Sequence, residues 1–223
     1  MNWLSRFNSL SRRLRSDRSG IAMVEFALVM PFFLGVAMWG LELGRYQFQV
    51  MKIQQLSAHV ADNASRVGDY SKLQNRKIYE SDIDDLLVGA SLQAGSQMDL
   101  LNHGRIILSS LEVNPAGKQY IHWQRCAGVK KVTSSYGKET EVLGDAGIGP
   151  KGGEVPALPN DAVMFAEVQY EYQPLISDTF IGSPLISSIA SFTVRSSRDL
   201  TQIYQGTPAS PKMTCDRFTA TVA

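Results

Sequence analysis

Apolar positions follow two different rhythms along this chain. From Ile21 to Leu41 (IAMVEFALVMPFFLGVAMWGL) they are almost continuous and Glu25 is the single charge; an α-helix needs about 20 such residues to cross a hydrocarbon core. Beyond Arg45, apolar or small side chains recur at Tyr46, Val50, Ile53, Ser57, Val60, Ala64 and Val67 in steps of four and three, with Arg45, Lys52, Gln54, Gln55 and Asp62 off that line. This is the stripe of an amphipathic helix. One helix over Ile21–Val67 is therefore predicted, on the order of 70 Å long at 1.5 Å per residue, with a kink at Pro31.

After Gly68-Asp69-Tyr70 the stripe ends, and Ser81 followed by Asp84 reads as the cap of a short helix over residues 81–94. The period then changes to two. Arg105–Val113 and Lys118–Arg125 alternate around Asn114-Pro115-Ala116-Gly117, which is a hairpin signature. Residues 144–160 (GDAGIGPKGGEVPALPN) read as a long, flexible loop. Over Ala162–Tyr172 one face carries Met164, Ala166, Val168, Tyr170 and Tyr172 and the other is polar around Glu167, Gln169 and Glu171, as in a strand buried on one side. Ser191–Arg198 reads as a further strand, and the tail after Gly206 as an extended segment tied down through Cys215. The expected fold is α+β: a long N-terminal helix packed on a small antiparallel sheet of about four strands, with one more short helix and the glycine- and proline-rich loop. The expected organisation is a leader at 1–20, a membrane helix at 21–44 and a head at 45–223, the head comprising the helix continuation 45–67, the β-rich region 105–200 and the tail 201–223.

Charge changes this picture locally. Lys and Arg total 22 against 21 Asp and Glu, so the net charge of +1 gives no electrostatic basis for binding nucleic acid. Arg6, Arg12, Arg13, Arg15 and Arg18, however, stand before the apolar run against Asp17 alone. By the positive-inside rule that flank stays cytoplasmic and the head lies across the membrane. The two cysteines, Cys126 and Cys215, both fall in the exported part. An oxidising compartment lets them pair; two unpaired or merely buried thiols are the alternative, since sequence does not fix their separation. His59, His103 and His122 are scattered without carboxylates or cysteines at ligand spacing, and Lys151-Gly152-Gly153 lacks the spacing of a phosphate-binding loop. No catalytic set, metal site, cofactor or small-molecule substrate is expected, and the histidines read as surface or packing residues.

The chemistry concentrates in Arg18-Ser19-Gly20-Ile21-Ala22-Met23-Val24-Glu25-Phe26-Ala27-Leu28-Val29-Met30-Pro31. A carboxylate inside an apolar span costs several kcal/mol unless paired, so Glu25 implies a partner. The segment resembles the G-x-x-x-x-E arrangement of type IV prepilins and, more closely, the R-x-G-x-x-x-V-E-F-A-L-V-x-P opening of the TadE-like pseudopilins of tight-adherence (Tad/Flp) pilus systems. Gly20, Val24, Glu25, Phe26, Ala27, Leu28, Val29 and Pro31 carry the match. Glu42-Leu43-Gly44-Arg45 and Glu167–Leu175 are similar to later parts of that family.

The resemblance implies a minor pseudopilin of a pilus used in adherence and biofilm formation. It implies cleavage between Gly20 and Ile21 by a prepilin peptidase, with Phe26 in the recognised stretch. Glu25 would then pair with the freed amino group of Ile21, and Glu25 and Pro31 would shape the pairing of membrane helices. Implied partners are that peptidase, other pilins and pseudopilins, the inner-membrane assembly platform and the lipid bilayer. The implied location is the bacterial inner membrane, single-pass, with a periplasmic head that can enter the fibre. Three readings compete with it: an uncleaved membrane-anchored scaffold or binding module, an exported hydrolase with an unrecognised site, and a cleavable secretory signal with small residues at Gly35-Val36-Ala37.

Overall fold

A computed structural model describes residues 19–69 and 75–222. The chain divides into two compact units, Met1–Arg45 and Tyr46–Ala223. The basic leader lies outside the described residues apart from Ser19 and Gly20. A helix α1 (Ser19–Arg66) contributes its first part to one unit and its remainder to the other, and its assignment is unbroken at Pro31. The order after it is α2 (Glu80–Ala94), α3 (Leu100–His103), β1 (Gly104–Val113), β2 (Gln119–Ala127), β3 (Val142–Gly144), β4 (Ala162–Glu171), α4 (Asp178–Ile181) and β5 (Leu185–Thr193).

The strands form one antiparallel sheet of five, in the order β3-β2-β1-β4-β5, one strand more than the pattern suggests. The hairpin β1–β2 is closed by the predicted turn. The Asn114 side chain accepts from the backbone N–H groups of Ala116 and Lys118 (3.0 and 2.9 Å), and Gly117 takes the positive φ of 77° that favours glycine there. β5 begins six residues before the predicted strand: Leu185 pairs with Glu171 and Thr193 with Val163. Its serine-rich sequence hides the alternation. The residues expected as strand after Thr193 instead turn toward the end of α1, where the Arg195 N–H donates to the Ser65 carbonyl at 3.3 Å.

In the second unit the predicted stripe of α1 is the buried one. Ile53, Leu56, Val60, Ala61 and Ala64 are at most 2 % exposed and share a core with Leu87 and Ala90 of α2, with Ile106, Leu108, Val168 and Tyr170 of the sheet, and with Tyr172 just beyond β4. The rings of Tyr46 and Tyr172 meet edge to face at 5.2 Å, and the hydroxyls of Ser57 and Ser188 share a hydrogen bond of 2.8 Å. The short helix α2 starts at Glu80 rather than behind Ser81, because Asp82 accepts the N–H of Tyr79 at 2.9 Å and closes the first turn.

The second face of the sheet is covered too, contrary to the one-sided strand predicted for β4. Glu167 and Gln169 are buried, because the Ser134 hydroxyl and the Ser135 N–H (3.0 Å) bond the Glu167 carboxylate and the Gln169 amide donates to the Thr133 carbonyl at 3.4 Å. The glycine-rich loop is part of this cover and is not free. Ile148 and Ala157 pack with Leu111, Ile121, Val163 and Phe165, while Ile148 and Val155 exchange backbone hydrogen bonds of 3.2 and 2.8 Å. The Gln119 amide both donates to and accepts from the backbone of Ala157 at 2.9 Å. Glycine is required here: at Gly147, φ is +86° and a Cβ would stand 2.3 Å from the Val155 carbonyl oxygen.

Candidate functional site

Along the first part of α1 the apolar side chains point outward. Met23, Leu28 and Phe32 are 72, 75 and 73 % exposed, and Ile21, Phe26, Phe33 and Trp39 exceed half. A monomeric soluble protein rarely presents so large a contiguous apolar surface. The helix is long and apolar enough to cross a membrane, and none of its most apolar stretch is buried within the chain.

Gly20, Ile21, Glu25, Phe26 and Pro31 all lie on this exposed helix. Ile21 and Glu25 are four residues apart, so they share one helix face about one turn, roughly 6 Å, from each other. An added Cβ at Gly20 meets no atom within 4 Å, and both residues flanking the Gly20–Ile21 bond are held in helix. Glu42 is buried, in contrast to the apolar residues before it.

In the second unit Cys126 and Cys215 form a disulfide between β2 and the C-terminal segment. That segment lies along the sheet: the N–H groups of Cys126 and Gly128 donate to the carbonyls of Met213 and Thr219, each at 2.8 Å. His122, expected as a surface or packing histidine, is hydrogen-bonded within the sheet. Its Nδ1 lies 2.8 Å from Glu112, which also accepts from Ser110 at 2.8 Å. The hydrogen bond to Glu112 raises the imidazole pKa. His59 is bonded to Gln93 of α2, and His103 ends α3, so the three histidines do not converge.

Three groups invisible to the sequence reading also stand out. Arg125 forms a buried, two-pronged pair with Glu80 (2.9 and 2.6 Å). One turn along α2, Asp84 is 3 % exposed with no hydrogen-bond partner on either oxygen. Burial, with Glu80 and Asp85 adding, pushes its pKa up to about 6. Arg105, on β1, is 1 % exposed. Nothing in the local alternation separates such charges from solvent-facing ones.

No curated protein and no solved structure matches the chain. Residues 20–68, which are α1 from its second residue together with the two residues that follow it, match the family model described as TadE-like protein. The likeness to the TadE-like family thus rests on the N-terminal helix, residues 20–68 of the 223.

Proposed function

We propose that this chain is a minor pseudopilin that takes part in assembling a Tad pilus, without enzymatic activity of its own. The observation that carries the proposal is the coincidence of the TadE-like match over residues 20–68 with an outward-facing apolar helix bearing Glu25. The family match supports association with Tad pilus components generally; the finer steps follow from chemistry. A prepilin peptidase cuts between Gly20 and Ile21 at the cytoplasmic face of the inner membrane. The new amino group of Ile21 then lies one turn from Glu25, on its own chain or a neighbour's, and the pair neutralises a charge that hydrocarbon would otherwise penalise. A carboxylate in the first turn of the shortened helix also meets the positive end of the helix dipole. The head lies in the periplasm and passes with the helix toward the fibre, where it serves adherence.

The test is to express the full chain with its candidate peptidase and with an inactive peptidase, and to read the N-terminus and intact mass of the extracted protein. A terminus at Ile21 that requires the active peptidase supports the processed pseudopilin. Met1 in both preparations refutes processing and leaves a permanent anchor that scaffolds the pilus machinery from the membrane.

A further inference from the structure

Arg105 is a buried cation without an anion. Its Nη1 donates to the carbonyls of Gly128 and Arg217 (2.9 and 3.2 Å) and its Nη2 to that of Cys215 (2.6 Å). Its guanidinium carbon sits 4.2 Å from the centre of the Phe218 ring, while Nε has no partner. Among the described residues no ion pair to a carboxylate is formed by it, and burial alone lowers its pKa. Dehydrating a guanidinium is costly, and proteins usually offset that with a carboxylate. Here backbone carbonyls and an aromatic face serve instead.

The same residue that Arg105 grips is already held covalently. Cys215 is bonded to Cys126 through sulfur and to Arg105 through its carbonyl oxygen. The second hold adds little while the disulfide is closed. Once it is open, the second hold keeps Cys215 beside Cys126. The two residues also differ in exposure. Cys126 is 1 % exposed, Cys215 is only half-buried, and both line a groove of about 440 Å³ with Arg105, Lys138 and Phe218. Glu139 and Asp216 border the groove as well. Glu139 faces Arg125 (3.5 Å) and Lys212 (4.0 Å), and Asp216 accepts the Thr214 hydroxyl. Cys126 is the register partner of Ile107, and Arg105, two residues earlier on β1, projects to the same face.

We propose that the Cys126–Cys215 disulfide is a thiol-exchange site, entered through this groove by a small thiol or a partner's exposed thiolate, with Arg105 as counter-cation and retaining clamp. The incoming thiolate attacks the Cys215 sulfur; a new sulfur–sulfur bond forms there, the old one breaks, and its electron pair leaves on the Cys126 sulfur as thiolate. Arg105 supplies the charge that the thiolate needs inside the fold. Closure is the reverse: Cys126 attacks Cys215 and expels the incoming thiolate, with no net change in oxidation state. Arg105 acts through position, since it holds the Cys215 backbone within reach during the open interval.

The test uses the full chain in detergent micelles, exposed to reduced glutathione under native conditions, quenched in acid and mapped by mass. The expected result is a glutathione adduct on Cys215 at least tenfold over Cys126, forming at a rate that rises in proportion to glutathione. After glutathione is removed, Arg105→Gln closes at least tenfold more slowly than the parent, and Arg105→Lys recovers most of that rate. Should Arg105→Gln fail to fold, Cys215→Ser allows the pH profile of Cys126 alkylation to be read instead, with a pKa at least one unit below the ordinary thiol value of about 8.5 expected. The proposal is overturned by an adduct that requires urea, by a rate independent of glutathione, by equal labelling of both cysteines, or by a Cys126 pKa at or above the ordinary value.

Discussion

Replacing Arg125 by Met would remove one side of the pair that joins β2 to α2. Arg125 and Glu80 are 3 and 4 % exposed at their side chains, and the two contacts run from Nε and Nη2 to the two carboxylate oxygens at 2.9 and 2.6 Å. Arg125→Met leaves Glu80 as a dehydrated carboxylate one turn from Asp84, which is itself buried without a partner. Breaking a buried pair from one side costs about 3–5 kcal/mol, a large part of the ~5–15 kcal/mol that holds a domain together. With a urea dependence of about 2 kcal/mol per molar, the unfolding midpoint falls by roughly 2 M.

The loss is also pH-dependent. Arg125 is one of the charges that lowers the Asp84 pKa, so without the guanidinium that carboxyl favours its protonated form still more and part of the deficit returns as pH falls from 7.5 to 5. The double variant Glu80→Gln/Arg125→Met leaves no charge stranded at position 80 and should recover at least half of the loss. Urea unfolding of the chain in micelles, followed by near-ultraviolet circular dichroism at both pH values, measures all three. A cost below about 1 kcal/mol for Arg125→Met, or the same cost at both pH values, refutes the reasoning.

Asp84→Asn tests the same region from the other side. A carboxyl whose folded pKa of about 6 lies above the unfolded value of 3.8 favours folding in its protonated form, fully below pH 3.8, and loses that contribution as pH rises through 6. Asn should therefore stabilise the head at pH 7.5 and change little at pH 4, as measured by melting at both. Val60→Asp places a carboxylate at a position 2 % exposed on the buried stripe of α1, within reach of Asp82 and Asp85 across one small cleft. Loss of apolar burial and the unpaired charge together should exceed 4 kcal/mol and unfold the head; a cooperative melt near the parent's would disprove the packing described.

The helical half of the structure was readable because its signals are local. A run of apolar residues ending at Leu41 and a stripe stepping by three and four to Val67 each have one simple physical reading, and α1 ends at Arg66. The hairpin was equally plain, since Asn114 and Gly117 satisfy a turn within themselves. What failed to show depends on segments far apart in sequence. β4 looks half-exposed until residues 133–135 cover Glu167 and Gln169, and the glycine-rich loop looks free until Gln119 fastens Ala157. β5 carries too many serines to alternate visibly, and its boundaries come from pairing with β4. The same holds for the site. Glu25 announces itself by standing alone in an apolar run, whereas Arg105 is one arginine among many until the tail folds over it.

The strand order has a kinetic meaning. β1 sits at the centre of the sheet, and its neighbour on one side, β2, follows after a short turn, but its other neighbour, β4, begins at Ala162. Roughly 50 residues must be synthesised in between, which at ~5–20 residues per second takes roughly 3–10 s. Throughout that interval Ile106, Ile107 and Leu108 sit on a strand with one unpaired edge, the arrangement most prone to recruit a foreign strand. A chain built in this order depends on something holding that edge apart from its neighbours until the later strands arrive, so slowed synthesis between residues 114 and 161 should lower the yield of folded protein more than slowing anywhere after Thr193.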